Sequence, residues 1–249
     1  MPDISITINN MSILCQTQRL AVTKLFNYSA CDIADALLKL KVPNAGYLSN
    51  LHLITTKNTT SSANNAPNIT IAPASTVIFG PKYTSDTEAL KYQSNKIEAG
   101  THWVDLTPPE TILVVSQPEG QNCAVLGGIL ALRLKKLGAK GVVVSGRVRD
   151  ILELNSTCLP IWSKGTSVVG AAAESKPLAT QVTLNINGTI ITPGDLIFCD
   201  SLNGVIAIPQ ERIKEVVDML PTLIEADERV KEDVISGVSV YDAFAKHRG

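Results

Sequence analysis

The 249-residue chain is poor in the features that usually announce a function. Its charge is nearly balanced, 22 Lys and Arg against 23 Asp and Glu, which leaves no basic stripe of the kind nucleic-acid binders carry and no acidic tail. The five cysteines (Cys15, Cys31, Cys123, Cys158 and Cys199) are scattered without a C-x-x-C pair, so no zinc ribbon or dithiol redox site is written into them. They read as free thiols of a reducing compartment. His52, His102 and His247 are the only histidines, and none has metal-ligand spacing such as H-E-x-x-H. Aromatic residues make up only 4% of the chain, and Trp103 and Trp162 read as core. No apolar run approaches the roughly 18 residues of a membrane span. The opening MPDISITINN has neither the basic nor the apolar region of a secretory signal. These absences point to a cytoplasmic protein with no nucleic acid and no membrane among its partners.

What is present is a globular composition, 45% hydrophobic and 18% charged. A chain of this length buries roughly 70–75% of its unfolded surface and needs no staple. Helical spacing of apolar residues predicts a helix over 13–26, and Ser29 reads as the N-cap of a second, from Ala30 to about Lys41. A short strand over Leu51–Thr55 leads into KNTTSSANNAPN (57–68), too polar to bury a core and read as a loop insertion. Strands are expected at Thr76–Phe79 and Thr111–Ser116, with a polar helical stretch near Thr87–Ala99 between them. A helix over Ile129–Leu137, ended by Gly138, and a buried strand Gly141–Ser145 follow, so that strand, helix and strand form a βαβ unit with parallel pairing.

Farther on, Val182, Leu184 and Ile186 alternate up to Asn187-Gly188, a type I′ turn signal, before Thr189–Ile191. Strands at Leu196–Asp200 and Val205–Ile208 precede a long polar helix from Pro209 to about Ser236, interrupted at Pro221, and a last helix over Tyr241–Lys246. The whole, residues 1–249, reads as a single α/β domain with a mixed sheet.

The chemistry concentrates in LGGILALRLKKLGAKGVVVSGRVRDILE, residues 126–153. A Gly pair at a helix start lets a small anion reach unpaired backbone amides, at Gly128, Ile129 and Leu130. Arg149 and Asp150 stand at the carboxyl end of the next strand, where open α/β sheets build their sites. Arg149 offers a planar fork for a carboxylate. Asp150 and Glu153, three residues apart, share a helix face and suit a hydrated magnesium ion. The Gly pair belongs to neither G-x-x-x-x-G-K-[ST] nor G-x-G-x-x-G, so a nucleotide or adenosyl cofactor is not expected.

The spacing of Gly128, Gly138, Gly141, Val143, Gly146 and Arg149-Asp150 resembles the signature of the RraA-like proteins and their relatives, the class II 4-hydroxy-4-methyl-2-oxoglutarate (HMG/CHA) aldolases. Gly128, twenty residues, Arg149-Asp150, two residues and Glu153 looks like the variant associated with metal-dependent oxaloacetate decarboxylation. PGDLIFCDSLNGVIAIP (193–209) and Asp35-Ala36-Leu37 are similar to further parts of the family pattern. The resemblance implies a swivelling α/β/β subunit in a trimeric ring, possibly a hexamer, with clefts between neighbours. It implies that the amides of Ile129 and Leu130 and the Arg149 side chain bind the pyruvoyl part of a small 2-oxo acid. Asp150 would hold Mg²⁺ or Mn²⁺, largely through water.

The expected activity is carbon–carbon lyase chemistry through a pyruvate enolate: oxaloacetate decarboxylase, 4-hydroxy-4-methyl-2-oxoglutarate aldolase, or both. Gly128 stands where the dedicated aldolases carry an Asp that assists retro-aldol proton transfer, a departure that favours decarboxylation. The resemblance implies that water, or an acidic residue of the C-terminal region supplied by the neighbouring subunit, would serve as base, and Glu225, Glu228 and Glu232 are the candidates here. The alternative is a regulatory protein-interaction ring, since the family's bacterial namesake binds and inhibits a ribonuclease.

Overall fold

The computed structural model describes residues 16–55, 68–85 and 90–248. Helices α1 (Gln16–Leu25) and α2 (Ala30–Lys39) come first. Helix α2 opens on a capping box: the Ser29 hydroxyl accepts from the Asp32 amide and the Asp32 carboxylate accepts from the Ser29 amide. Strands β1 (His52–Leu53), β2 (Ile69–Pro81), β3 (Ile112–Ser116) and β4 (Ala124–Leu126) lead to helix α3 (Gly128–Leu137) and strand β5 (Gly141–Val148). Helix α4 (Ile151–Ser156), strands β6 (Ile161–Thr166) and β7 (Ser175–Thr180), and the hairpin β8 (Leu184–Ile186) and β9 (Thr189–Ile191) come next. Strands β10 (Leu196–Asp200) and β11 (Gly204–Ile208) and helices α5 (Ile213–Ile235) and α6 (Val240–His247) complete the described chain.

One mixed sheet carries nine of the strands in the order β1-β6-β5-β3-β2-β10-β11, with β4 beside β5 and β7 beside β2, and the β8–β9 hairpin forms a separate two-stranded sheet. Strands β2, β3, β5 and β6 are parallel, and the expected βαβ unit is β3-α3-β5, paired from Ile112 with Gly141 to Ser116 with Ser145. Side chains alternate between two apolar clusters, as strand geometry requires. Ile112, Val114 and Val143 join the cluster under α1, α2 and α5, with Leu25, Ile33, Leu37 and Leu220. Leu113, Val115, Val142 and Val144 join the other, with Ala131 and Leu134 of α3 and Leu154 of α4. Trp103 and Trp162 are buried in these clusters, as their sequence context suggested.

Several expectations need correction. Strand β2 runs far beyond Thr76–Phe79, because its first half pairs with β10 and its second half with β3 and β7. Pro73 stands where the partners change, a position that tolerates the loss of its amide donor. The helical stretch expected near 87–99 holds one short 3₁₀ segment, Leu90–Asn95, with residues 86–89 outside the described residues, and a second 3₁₀ segment, Trp103–Leu106, follows it. Strand β1 is only two residues long.

Helix α5 passes through Pro221 without interruption. The proline forgoes one backbone bond, while Val216, Val217 and Leu220 just before it are buried and hold the helix to the core. The polar insertion 57–68 lies, except for Asn68, outside the described residues, as do residues 13–15. The Asn187-Gly188 turn forms as expected, both residues having positive φ. Among the described residues no helix is long and apolar enough to cross a membrane.

Asp200 ties the sheet to the helical layer. Its buried carboxylate accepts from Ala30 N at 3.1 Å, Leu202 N at 2.9 Å and Asn203 Nδ2 at 2.8 Å. Burial pushes this carboxyl up, but the hydrogen bonds outweigh it and hold the group below the usual aspartate value. A depressed folded-state value means that its contribution is complete above about pH 4 and is lost as pH falls through the folded value. Asp200→Ala is therefore expected to cost about 2 kcal/mol or more at neutral pH. Chemical denaturation measured from pH 7 to 3 checks this, and the variant should lose stability less steeply on the acid side than the parent.

Candidate active site

Strand β3 pairs with the first part of β5 and stops at Ser116, and β4 then takes its place beside the end of β5, pairing Ala124 with Arg147 and Leu126 with Val148. The intervening loop is fastened at both ends. The Gln117 side chain accepts from Arg147 N at 3.0 Å and donates to Cys123 O at 2.9 Å. The Glu174 carboxylate accepts from Asn122 N at 2.6 Å and Cys123 N at 2.9 Å. Those two amides hold the Glu174 carboxyl below its ordinary value. Burial pushes the Cys123 thiol up, in keeping with a packing thiol rather than a nucleophile.

This arrangement sets Gly127 and Gly128, which follow β4, beside Arg149 and Asp150, which follow β5. Arg149 N donates to Leu126 O at 3.0 Å and locks the two crossings together. Helix α3 starts at Gly128 with Gly127 as N-cap, so no side chain caps it. Its first-turn amides at Ile129 and Leu130 are available at the positive end of the helix dipole. Asp150 has left-handed backbone angles (φ 61°, ψ 50°) and heads helix α4. Aspartate is among the few residues that adopt this conformation readily.

Three side chains converge on the glycine pair. Asp150 Oδ2 lies 3.4 Å from Gly128 N and 3.6 Å from Arg149 Nε. A Cβ placed on Gly127 would sit 2.7 Å from Asp150 Oδ2. A Cβ on Gly128 would overlap Glu153 Oε2 and sit 2.7 Å from its Cδ. The Glu153 carboxylate thus fills the space that a side chain at position 128 would need. On the far side, a Cβ on Gly170 would be 3.1 Å from Arg149 Nη1, so this glycine leaves room for the guanidinium.

The resulting cleft, about 270 Å³, is lined by Ala124, Val125, Leu126, Gly127, Ile129, Leu130, Arg149, Asp150 and Ala171. All the predicted site residues, Gly128, Ile129, Leu130, Arg149, Asp150 and Glu153, therefore lie at or beside one crevice. Sequence reasoning missed Gly170 and Ala171, which no spacing rule connects to a motif twenty residues away, and it left β4 inside a loop. Among the described residues no group of three or more His, Cys, Asp or Glu side chains is placed to hold a metal. Two converging carboxylates suit a cation that keeps most of its coordination shell as water, as magnesium does. On α5, Glu225 pairs with Arg229 and Glu228 with Lys231, away from the cleft of their own chain, so any role for the C-terminal candidates is one across a subunit interface.

The sequence signature of the RraA-like family, Aldolase/RraA, matches residues 30–207. The chain belongs to the RraA-like family. It is 30% identical over 166 residues to protein DlpA of Legionella pneumophila, a match covering 67% of this chain but only 27% of that protein. It is 30% identical over 129 residues to a putative 4-hydroxy-4-methyl-2-oxoglutarate aldolase of Halalkalibacterium halodurans, covering 51% of this chain and 60% of that one. The fold is that of Streptomyces coelicolor RraAS2, described as an unusual member of the RNase ES inhibitor RraA protein family, with TM-score 0.63 and 26% identity over 84% of this chain and 93% of that one.

The packing of Glu153 over Gly128 gives a direct test. Gly128→Ala is expected to cost about 1–3 kcal/mol through overpacking, although alanine favours helices. Adding Glu153→Ala should recover most of that loss. A double-mutant cycle by thermal or urea unfolding measures the coupling, and simple additivity would contradict the contact.

Proposed function

We propose that the protein is a divalent-metal-dependent carbon–carbon lyase acting on small 2-oxo dicarboxylic acids through a pyruvate enolate. Oxaloacetate decarboxylation and 4-hydroxy-4-methyl-2-oxoglutarate cleavage are the reactions that fit. The observation carrying this reading is the convergence of Asp150, Glu153 and Arg149 on the uncapped start of α3.

The substrate's C1 carboxylate is met by the Arg149 guanidinium and by the amides of Ile129 and Leu130, which fix the 2-oxo acid by charge and by direction. Arg149 also supplies a preorganised positive charge for the enolate that develops when the C3–C4 bond breaks. Asp150 and Glu153 would hold Mg²⁺ or Mn²⁺ mainly through water, and such a cation supplies Lewis acidity toward the 2-oxo group. The Glu153 carboxylate stands against Gly128, beside the position of the dedicated aldolases' Asp. Aldolases named among the relatives support the lyase class.

The site rim supports assembly of like chains. Leu132 on α3, Leu152 on α4 and Val168 and Val169 just before Gly170 are exposed, Leu152 at 87% and Val168 at 93%, on segments that also carry residues of the site. Strongly exposed apolar side chains on such segments suit a contact surface, and a homotrimer, alone or doubled to a hexamer, would cover them. A regulatory ring acting on a protein partner is the second reading, favoured by the inhibitor family to which RraAS2 is assigned.

Pyruvate release from oxaloacetate, corrected for the rate of metal ion in buffer, tests the proposal. Chelator should abolish the enzymatic rate, and Asp150→Asn, which keeps the left-handed backbone accessible, should lower kcat/KM about hundredfold or more. Arg149→Lys, which keeps the charge but loses the fork, should raise KM, and an unchanged KM would show that the fork is unused. A protein with no rate above the buffer control contradicts the lyase and leaves the regulatory ring.

A further inference from the structure

A second cleft, of about 310 Å³, shares no lining residue with the one at Arg149. It opens between the loop after β3, residues 117–122, and the ends of β5 and β6, which contribute Ser145, Gly146, Arg147 and Lys164. The pairing of β5 with β6 is irregular here: Val144 pairs with Ser163 and Arg147 with Gly165. Two residues of β5, Ser145 and Gly146, thus stand against Lys164 alone. Such a bulge re-aims the side chains around it, and Arg147 and Lys164 of neighbouring strands come to one cleft. Two glycines leave the room. A Cβ on Gly146 would overlap Gln117 Oε1, and one on Gly165 would sit 3.0 Å from Arg147 Nη1.

The charges of this cleft are not balanced within it. Among the described residues no carboxylate pairs with Arg147, whose Nη1 donates to Thr166 O at 3.1 Å. Lys164 Nζ stands 3.4 Å from Asn187 Oδ1 and 3.9 Å from Glu119 Oε1. The Glu119 side chain is 82% exposed, so this pair is loose and contributes little. Ser145 is buried at the cleft, and among the described residues its hydroxyl has no hydrogen-bond partner. The backbone amides are engaged elsewhere: Asn122 N and Cys123 N donate to Glu174, and Arg147 N donates to Gln117. The cleft therefore lacks the run of free amides on which phosphate sites are built. A guanidinium fork and an ammonium on adjacent strands match an anion with a carboxylate at each end.

We propose that this cleft is a second binding site, for a small aliphatic dicarboxylate held by Arg147 at one end and Lys164 at the other, with the Ser145 hydroxyl as a further donor. The site goes beyond the lyase reading and does not depend on it, since its test involves no turnover. A diacid bound here takes the place of Glu119 at Lys164 and bears on Gln117, whose side chain also donates to Cys123 O at 2.9 Å. Occupancy thereby stiffens the loop that leads into β4 and the Gly127-Gly128 pair.

The test titrates succinate, which has no 2-oxo group, by calorimetry in metal-free buffer at low ionic strength. The full chain carrying Arg149→Ala is the background, so that the cleft at Arg149 does not compete. Hydrogen exchange over residues 117–123 locates the binding. Succinate is expected to slow exchange in that segment and to bind about tenfold or more tighter than acetate or inorganic phosphate. Lys164→Gln should weaken it about tenfold or more, and Lys164→Arg should restore most of the affinity. Glu119→Gln, at an exposed loop position, should tighten succinate about two- to fivefold, a gain that misfolding does not produce.

Absence of succinate binding in this background, or an affinity unmoved by both Lys164→Gln and Glu119→Gln, overturns the proposal. So does unchanged exchange over 117–123 at saturating succinate. Acetate or phosphate bound as tightly as succinate overturns the two-ended dicarboxylate.

Discussion

The absence of a side chain at Gly127 and Gly128 is the constraint on which the site depends. Two carboxylates, from Asp150 and Glu153, occupy space that any Cβ at those positions would invade. Bringing two like charges together is unfavourable in itself. It is tolerated here because Arg149 lies beside Asp150 and the positive end of α3 faces both. Under the proposed function, such a pair of acids beside a cation and the first-turn amides of α3 would meet a divalent cation and a 2-oxo acid together.

The sheet supplies the precision this geometry requires. Strand β5 carries Arg149 and Asp150 off its carboxyl end, and β4 brings the glycine pair to the same level only because the loop after β3 is fastened by Gln117 and Glu174. A one-residue irregularity between Val144 and Arg147 in the pairing of β5 with β6 falls just before the site. Irregularities of this kind re-aim the chain at sheet ends. Below the site, the alternation of β3 and β5 between two apolar clusters packs both strands on both faces, so the site stands on buried strands with only the short α4 and the segment near Gly170 added.

Much of this was legible in the sequence because the local signals agree with the fold. The Ser29 cap, the Gly138 stop, the Asn187-Gly188 turn and strand Leu196–Asp200 all stand where residue chemistry puts them. The site motif was legible because its six residues fall within 26 positions of the chain, Gly128 to Glu153. Long-range pairing was not. Strand β2 changes partners at Pro73, which reads locally as a breaker, and β6 and β7 have mixed, glycine- or proline-containing sequences whose extended form is imposed by neighbours. Pro221 misled in the opposite sense, since burial of one face of α5 outweighs one missing hydrogen bond. The contact between Glu153 and the empty side of Gly128 is also invisible in sequence, because spacing shows that two acids share a helix face but not what that face meets.

The central claim is that these two carboxylates, Arg149 and the start of α3 form one site for a divalent cation and a 2-oxo acid. The most direct measurement is a crystal structure with Mn²⁺ and oxalate, a mimic of the pyruvate enolate, read by the anomalous signal of the metal. The account expects one manganese peak beside Asp150 and Glu153, with oxalate between it, Arg149 and the amides of Ile129 and Leu130. A manganese ion bound elsewhere, or oxalate away from Arg149 with this cleft empty, would contradict it.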